Sequence, residues 1–394
     1  MRRILSDKAG RLPTYAVGRI AEIKRRLVAE GRDVVDLGAG DADFPPPPVA
    51  VEALARAAKD PAMSRYPFQV GLMAYRQAAA RYMERRFGVT FDPVTELLPL
   101  LGSKEGLAHL PLATVNPGDV CVVPEPGYAA YLGGTILAGA DPEVYPLRPR
   151  TGFLVELEDL PAERLAQTRI VYLNYPNNPT AAIAPRDYLE RTVALCRAHD
   201  ILIAYDNPYC EITFDGYVAP SIFEIEGAKD VAIEFHSLSK SFAMTGWRVG
   251  WVAGRADVIA ALQKVKGYVD TGVFLAVQAA AAAVLDDAEQ VIPDVRRRFQ
   301  ERRDAAVAAF RAAGFRTTAP KATMYLWIPL PEGIGSNAFA ERALEDEALA
   351  VLAGASFGPG GEGFFRIALT VDPGRLAEAA RRAARTLERL SVTR

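Results

Sequence analysis

An α/β fold is what the chain predicts: a large domain with a mostly parallel sheet covered by helices on both faces, and a smaller α+β domain. Three observations carry this. Short apolar runs recur without polar alternation, the mark of strands buried on both faces. Helical patterns separate them, so successive strands are joined by crossovers and run parallel. After about Asp287 that alternation stops, and a long amphipathic pattern opens a different kind of segment.

In chain order, the β-rich runs are VVDLG (34–38), LLPLLG (97–102), DVCVV (119–123), IVYLNY (170–175), ILIAYD (201–206), VAIEFH (231–236) and RVGWVAG (248–254). Helical patterns are expected at Gly71–Arg86, Lys104–Thr114, Arg186–His199 and Asp257–Lys266. The alanine-rich stretch Ala276–Leu285 reads as a buried helix, too short to span a bilayer. Four prolines at 45–48 make a stiff junction. Beyond Asp287 come one long amphipathic helix, the run MYLWIPL, another helix, the run GFFRIAL and a closing basic helix from Pro373. The expected division is an N-terminal segment 1–44, a large domain 45–290 and a C-terminal part 291–394.

Composition narrows the function classes. The 394 residues are 50% hydrophobic and 24% charged, with a net charge of −2, so nothing calls for a nucleic acid or an anionic membrane as partner. Cys121, Cys196 and Cys210 are far apart, which gives neither a disulfide framework nor a zinc knuckle and suits reduced thiols in a cytoplasmic protein. With only His109, His199 and His236, no metal site is expected. The first residues carry charge without an apolar segment, so no signal peptide is expected.

Open α/β sheets bind ligands beyond the carboxyl ends of their strands. Polar clusters follow four of the runs: Gly102-Ser103-Lys104-Glu105, Asn177-Asn178-Pro179-Thr180, Asp206-Asn207-Pro208-Tyr209, and Ser237 to Lys240. The last has two readings. Ser237-Leu-Ser-Lys240 matches the S-x-x-K of penicillin-binding enzymes, with serine as nucleophile, but the S-D-N and K-T-G elements that accompany it are missing from the chain. The other reading is an imine-forming lysine. A lone lysine is usually a solvated loop residue; here it follows an apolar strand, among small residues and near Arg248. Desolvation and like charge both favour the free amine that attacks a carbonyl.

Arg248 alone is more often a surface ion pair. Together with Ser237 and the helix start at Ser103-Lys104 it makes an anion cradle. There is no G-x-x-x-x-G-K-[ST] P-loop, and GAGDAD (38–43) lacks the third glycine of a dinucleotide fingerprint. Asp206 is either the cap of an Asn207-Pro208 turn or a carboxylate facing a protonated heteroaromatic nitrogen. Asn178 and Tyr209, each equally a turn or packing residue by itself, complete a set with Asp206 and Lys240.

The order G-S-K-E, P-G-Y, N-N-P-T, D-x-x-Y, S-x-S-K and an arginine eight positions on resembles the class I/II aminotransferases of pyridoxal-phosphate fold type I, over nearly the whole chain. The stretch from Phe214 to Trp251 looks most like the LL-diaminopimelate, alanine and aspartate aminotransferase branch. The resemblance implies pyridoxal 5′-phosphate as cofactor, held as an imine by Lys240. It puts Asp206 on the pyridinium nitrogen, and Asn178 and Tyr209 on the ring oxygen. It further implies that Tyr128 stacks on the ring, that Ser103, Lys104, Ser237 and Arg248 hold the phosphate, and that Tyr66 reaches the phosphate of a neighbouring subunit in a homodimer. Arg366 matches the clamp on the substrate α-carboxylate, Gly40 a close backbone approach to substrate, and the N-terminal segment joins the C-terminal part in the small domain.

The chain departs from the pattern in three places. N-P-T-G reads Asn178-Pro-Thr-Ala181, S-K-T-Y-N-M-T-G-W-R reads Ser239-Lys-Ser-Phe-Ala-Met-Thr-Gly-Trp-Arg248, and K-S-N-I-D-S-G reads Lys266-Gly-Tyr-Val-Asp-Thr-Gly272. The implied reaction is ping-pong transfer of an amino group from an α-amino acid to a 2-oxo acid, 2-oxoglutarate or pyruvate. LL-diaminopimelate, aspartate, alanine and aromatic amino acids are the candidate donors, and a β- or γ-lyase on the same fold is the alternative. Lys264 and Lys266 lie near where a second substrate carboxylate would need a cation, and Tyr15 and Tyr268 are candidates to line the pocket.

Overall fold

The computed structural model describes residues 6–13, 17–41 and 43–392. Its strands begin with β1 (Val35–Asp36), β2 (Leu97–Leu100), β3 (Val120–Glu125), β4 (Asp141–Pro146), β5 (Thr168–Leu173), β6 (Leu202–Asp206), β7 (Ala232–Ser237) and β8 (Gly250–Gly254). Seven of them form one sheet in the order β2-β8-β7-β6-β5-β3-β4. β8 runs antiparallel to both neighbours and every other pairing is parallel, so the expected mostly parallel sheet is present.

The unalternating apolar runs have a direct cause. Successive side chains of a strand point to opposite faces, and here both faces are dry. Val122, Val171, Ile203 and Ala232 enter one core with the helices Met73–Phe87 and Leu275–Asp286. Their neighbours Cys121, Ile170, Ala204 and Ile233 enter a second, with the helix Ser103–Thr114 and the helix Ala256–Val269.

Two strand readings need correction. VVDLG does not join the large sheet: β1 pairs in parallel with β10 (Leu349–Ala350) instead. Conversely β4 escaped the sequence pattern because it reads DPEVYP and is mostly exposed. It is an edge strand, where prolines are tolerated because no second ladder needs their missing N–H.

The C-terminal part holds β9 (Tyr325–Pro329), β10, β11 (Leu352–Ala353) and β12 (Phe364–Ala368), with β11-β12-β9 as an antiparallel sheet. A third core lies under it, built from Leu326, Ile328, Phe339, Phe365 and the helix Pro373–Val392. Val35 and Leu37 of the N-terminal segment join that core. The long helix runs Ala288–Ala312 and belongs to two cores: Ala288 and Ile292 pack beneath the large sheet, while Val295, Phe299 and Phe310 pack in the C-terminal core. Pro293 sits inside the helix between those two sets. Among the described residues no helix is long and apolar enough to cross a membrane.

One buried ion cluster fixes this helix against the large sheet. Glu211, 2% exposed, accepts from the Tyr82 hydroxyl at 2.6 Å, from Arg86 Nε at 2.8 Å and from Arg296 Nη2 at 3.1 Å. Arg86 lies on the helix Met73–Phe87 and Arg296 on the long helix, so one carboxylate anchors both, two residues after Tyr209. Removing one member of a buried pair strands the other charges, at a cost of about 3–5 kcal/mol. Glu211→Ala is therefore expected to lower the unfolding free energy by about that amount, seen as a lower urea midpoint at an unchanged m-value in equilibrium unfolding.

Candidate active site

The polar clusters do converge. β6 and β7 are adjacent and parallel, with Asp206 opposite Phe235, so Asp206 and the Ser237–Lys240 turn leave the sheet at the same end. The carboxyl end of β5 brings the Asn174–Thr180 segment beside them: Asn174 Nδ2 donates to the Asp206 carbonyl at 2.7 Å, and its Oδ1 accepts the Asn178 N–H at 2.7 Å.

Asp206 is 3% exposed. Its Oδ2 accepts from the Tyr131 hydroxyl at 2.6 Å, while its Oδ1 is buried without a partner. Burial raises the carboxyl to about 7, against the opposing pull of the Tyr131 hydrogen bond. An orphaned buried acceptor is costly, and a cationic ring N–H is the kind of donor that relieves it. Tyr131 was not singled out in the sequence. The signal was its spacing, three residues after Tyr128 on one helical face; the two rings meet edge-on at 5.7 Å.

The anion cradle forms around Gly102. This residue caps the helix Ser103–Thr114 at φ +76, and a Cβ there would stand 2.4 Å from Arg248 Nη2. Only glycine allows the guanidinium so close to the helix start, whose first N–H groups have no partner within the helix. Arg248 adopts φ +53 and donates to the Leu101 carbonyl at 3.2 Å, the Thr245 carbonyl at 2.9 Å and Ser239 Oγ at 3.3 Å. Ser237 Oγ accepts the Ser239 N–H at 3.2 Å, so its hydroxyl proton is left to donate. Ser239, which the motif does not single out, links Ser237 and Arg248 through its N–H and its Oγ. Lys104 lies 5.8 Å from the Tyr128 ring centroid.

On the other side, Lys240 Nζ donates to the Gly40 carbonyl. Gly40 is hemmed in, since a Cβ would fall 2.3 Å from the Tyr325 hydroxyl. Arg366, 4% exposed, donates to Asn178 Oδ1 and to the Gly38 carbonyl, each at 2.7 Å, and its Nε is buried without a partner. Its guanidinium lies 4.1 Å from the Tyr325 ring and 4.9 Å from the Phe357 ring. The Tyr325 hydroxyl is 3.2 Å from that of Tyr209. Burial pushes both phenols up; for Tyr325 the positive charges of Arg366 and Lys240 outweigh it and hold the group below its ordinary value, while Tyr209 stays high. Tyr325, in MYLWIPL, was legible only as a strand residue.

The other candidates fall elsewhere. Tyr66 is 67% exposed, beside Phe68 and away from these contacts. Tyr268 is 90% exposed and Lys264 is exposed. Lys266 is neither solvated nor free for a substrate: it is fully buried, 2.9 Å from Glu105 and 3.1 Å from Asp270. Tyr15 lies outside the described residues. Ala181, at the N-P-T-G departure, has φ +59. Glycine suits that backbone without strain, whereas an L-residue there costs about 1–2 kcal/mol.

The family model for aminotransferase class I and II matches residues 32–382. The chain belongs to this family. It is 46% identical over 371 residues to an LL-diaminopimelate aminotransferase of Desulforudis audaxviator, covering 94% of this chain and 95% of that one. Among solved structures, substrate-bound BacF from Bacillus subtilis superposes with a TM-score of 0.93 at 32% identity, covering 98% of both chains. A probable N-succinyldiaminopimelate aminotransferase from Thermus thermophilus gives 0.89 at 36% identity, covering 94% of this chain and 99% of that one. This aminotransferase uses pyridoxal phosphate. The orphaned Asp206 Oδ1 and the cradle at Gly102 fit that group, at its ring nitrogen and phosphate ends.

Asp206 makes a pH prediction for the cofactor-free protein. Its folded value of about 7 exceeds the unfolded 3.8, so the native state binds the extra proton and stability falls as pH rises from about 4 to 7. The loss attributable to this group is roughly 4 kcal/mol. Asp206→Asn removes it: denaturant unfolding at pH 5 and pH 7.5 is expected to show a smaller pH-dependent loss in the variant than in the wild type.

Proposed function

We propose that this aminotransferase moves the amino group between LL-diaminopimelate and a 2-oxo acid. The observation that carries the substrate is the 46% identity, over nearly the full length of both chains, to an enzyme named for that donor. The chemistry rests on the site. Pyridoxal phosphate, when bound, supplies an electrophilic carbonyl and a ring that withdraws electrons from the substrate Cα.

The chain's own residues do the rest. Lys240 would hold the cofactor through its amine, and that amine, when free, would take the proton from the substrate Cα as a general base, help of the kind worth about 10²–10⁴-fold. Asp206, kept dry, holds a proton on the ring nitrogen by charge. Asn178 and Tyr209 take the ring oxygen, and Tyr128 takes the ring face. Ser103, Lys104, Ser237 and Arg248 take the phosphate. Arg366, with an Nε–H to spare and aromatic rings beside its guanidinium, clamps the α-carboxylate as a fork. Gly40 brings its backbone to the substrate side of Lys240, its missing Cβ leaving space for the Tyr325 hydroxyl.

The working form is a homodimer in the cytoplasm, with Tyr66 donated to the partner's phosphate. Its support is an exposed groove lined by Tyr66, Pro67, Phe68 and Phe274, an apolar surface of the kind that second subunits cover. Free buried thiols at Cys121, Cys196 and Cys210 suit a reducing compartment. Residues 45–290 then act as the cofactor domain and 291–394 as the smaller domain that carries Arg366; of segment 1–44, Val35 and Leu37 join the smaller domain, while the helix Asp7–Arg11 packs on the large-domain helix Ala129–Ala138.

A donor panel scored against 2-oxoglutarate and pyruvate tests the substrate: LL-diaminopimelate is expected to give the highest kcat/KM, and a faster aspartate, alanine or aromatic donor would refute it. Release of free ammonia in place of amino transfer would instead favour the lyase chemistry. Lys240→Ala is expected to abolish transfer, and borohydride reduction of the wild type to leave the cofactor mass on the Lys240 peptide. Arg366→Lys keeps the charge and loses the fork, so KM for the amino acid is expected to rise about tenfold or more.

A further inference from the structure

Lys266 is one of the most enclosed charges in the molecule, at 0% exposure, and the reaction does not use it. It stands in the helix Ala256–Val269, which packs on the helix Ser103–Thr114. Its ammonium lies 2.9 Å from Glu105 Oε2 and donates to both oxygens of Asp270 at 3.1 and 3.2 Å. Glu105 Oε1 is also 2.8 Å from His109 Nδ1. The ligand atoms of Glu105, His109 and Asp270 fall within 4.8 Å of one another, a spacing open to a metal ion. The ammonium already supplies the positive charge between the two carboxylates, which leaves a divalent cation disfavoured there.

Both carboxylates pass their position on. Glu105 Oε2 accepts the Leu101 N–H at 3.1 Å, and the carbonyl of the same Leu101 accepts from Arg248 at 3.2 Å. Asp270 Oδ1 accepts the Gly272 N–H at 2.7 Å. Gly272, at φ +97, lies against the Tyr66-bearing segment: a Cβ on it would be 3.2 Å from Pro67, and the adjacent Thr271 carbonyl accepts the Gln69 N–H at 3.2 Å. A line of contacts thus runs from the turn at Leu101-Gly102 to segment 66–72, charge-assisted as far as the Gly272 N–H and a neutral backbone hydrogen bond at its last link. Burial would raise Glu105, but His109 and Lys266 hold it below the usual carboxylate range, so it stays ionised at the centre of the line.

We propose that Lys266 is a positioning residue: through Glu105 it holds the turn that aims Arg248 and the helix start at the cofactor phosphate, and through Asp270 it ties that turn to the segment presenting Tyr66. This rests on the reading of Arg248 and the helix start as the phosphate cradle. Lys266 touches neither cofactor nor substrate, so its effect appears only where phosphate is recognised.

The test is the ratio of two affinities. The full-length chain, stripped of cofactor, is titrated with pyridoxal 5′-phosphate and with pyridoxal, which lacks the phosphate. Lys266→Met is expected to weaken pyridoxal 5′-phosphate about tenfold, in the range usual for coupled sites, and to leave pyridoxal nearly unchanged. An equal loss for both ligands, or for neither, overturns the proposal. If Lys266→Met does not fold, Asp270→Asn and Glu105→Gln, which keep the size and an acceptor oxygen, decide by the same ratio in the same direction. Arg248→Ala separates the two readings: should it fail to lower the ratio, the cradle itself is wrong. For the second link, Tyr66→Phe is measured in both backgrounds. Its loss is expected to shrink when Lys266 is Met, and losses that simply multiply overturn the tie to segment 66–72.

Discussion

The arrangement depends on where one guanidinium is held. Arg366 comes from β12, yet its two terminal nitrogens each donate a hydrogen bond, to Asn178, beyond the carboxyl end of β5, and to Gly38, in the N-terminal segment. Its aromatic neighbours come from β9 and from the loop before β12. Parts of the chain more than three hundred residues apart therefore meet on a single charge. Hydrogen bonds to a charged group contribute about 1.5–3 kcal/mol each, so this cation is already oriented by the protein alone. Its Nε–H is left without a partner.

The opposite charge is managed by the same device, exclusion of water, with the opposite result. Arg366 is satisfied on two sides, whereas Asp206 is left with one bare oxygen and a raised affinity for a proton. Each end thus keeps one unpaired buried atom, a donor at Arg366 Nε and an acceptor at Asp206 Oδ1, and the two call for partners of opposite character. Tyr325 has its hydroxyl beside Tyr209 and its ring against Arg366, so its phenol is held down by the charges of Arg366 and Lys240.

Much of this was readable in the residues. The double-faced strands announced themselves because both faces are dry, and the polar clusters stood out as residues too expensive to bury unpaired at strand ends. What escaped did so for physical reasons. β4 is an exposed edge and carries no apolar period. VVDLG is apolar for the sake of the C-terminal core, which it reaches through a partner, β10, some three hundred residues further on. Tyr131 and Tyr325 look like ordinary core aromatics, and only their hydroxyl partners distinguish them. Lys266 could be read as solvated because helix periodicity does not reveal that its two acids come from different elements.

The long helix Ala288–Ala312 has a mechanical consequence. Since its first turn is embedded under one sheet and the remainder under the other, the C-terminal body cannot swing as if on a slack tether. Any movement of one core relative to the other has to be absorbed as curvature of a shared axle. The weak point of that axle is built in: Pro293 removes one rung of its ladder at the place where ownership passes between the two bodies.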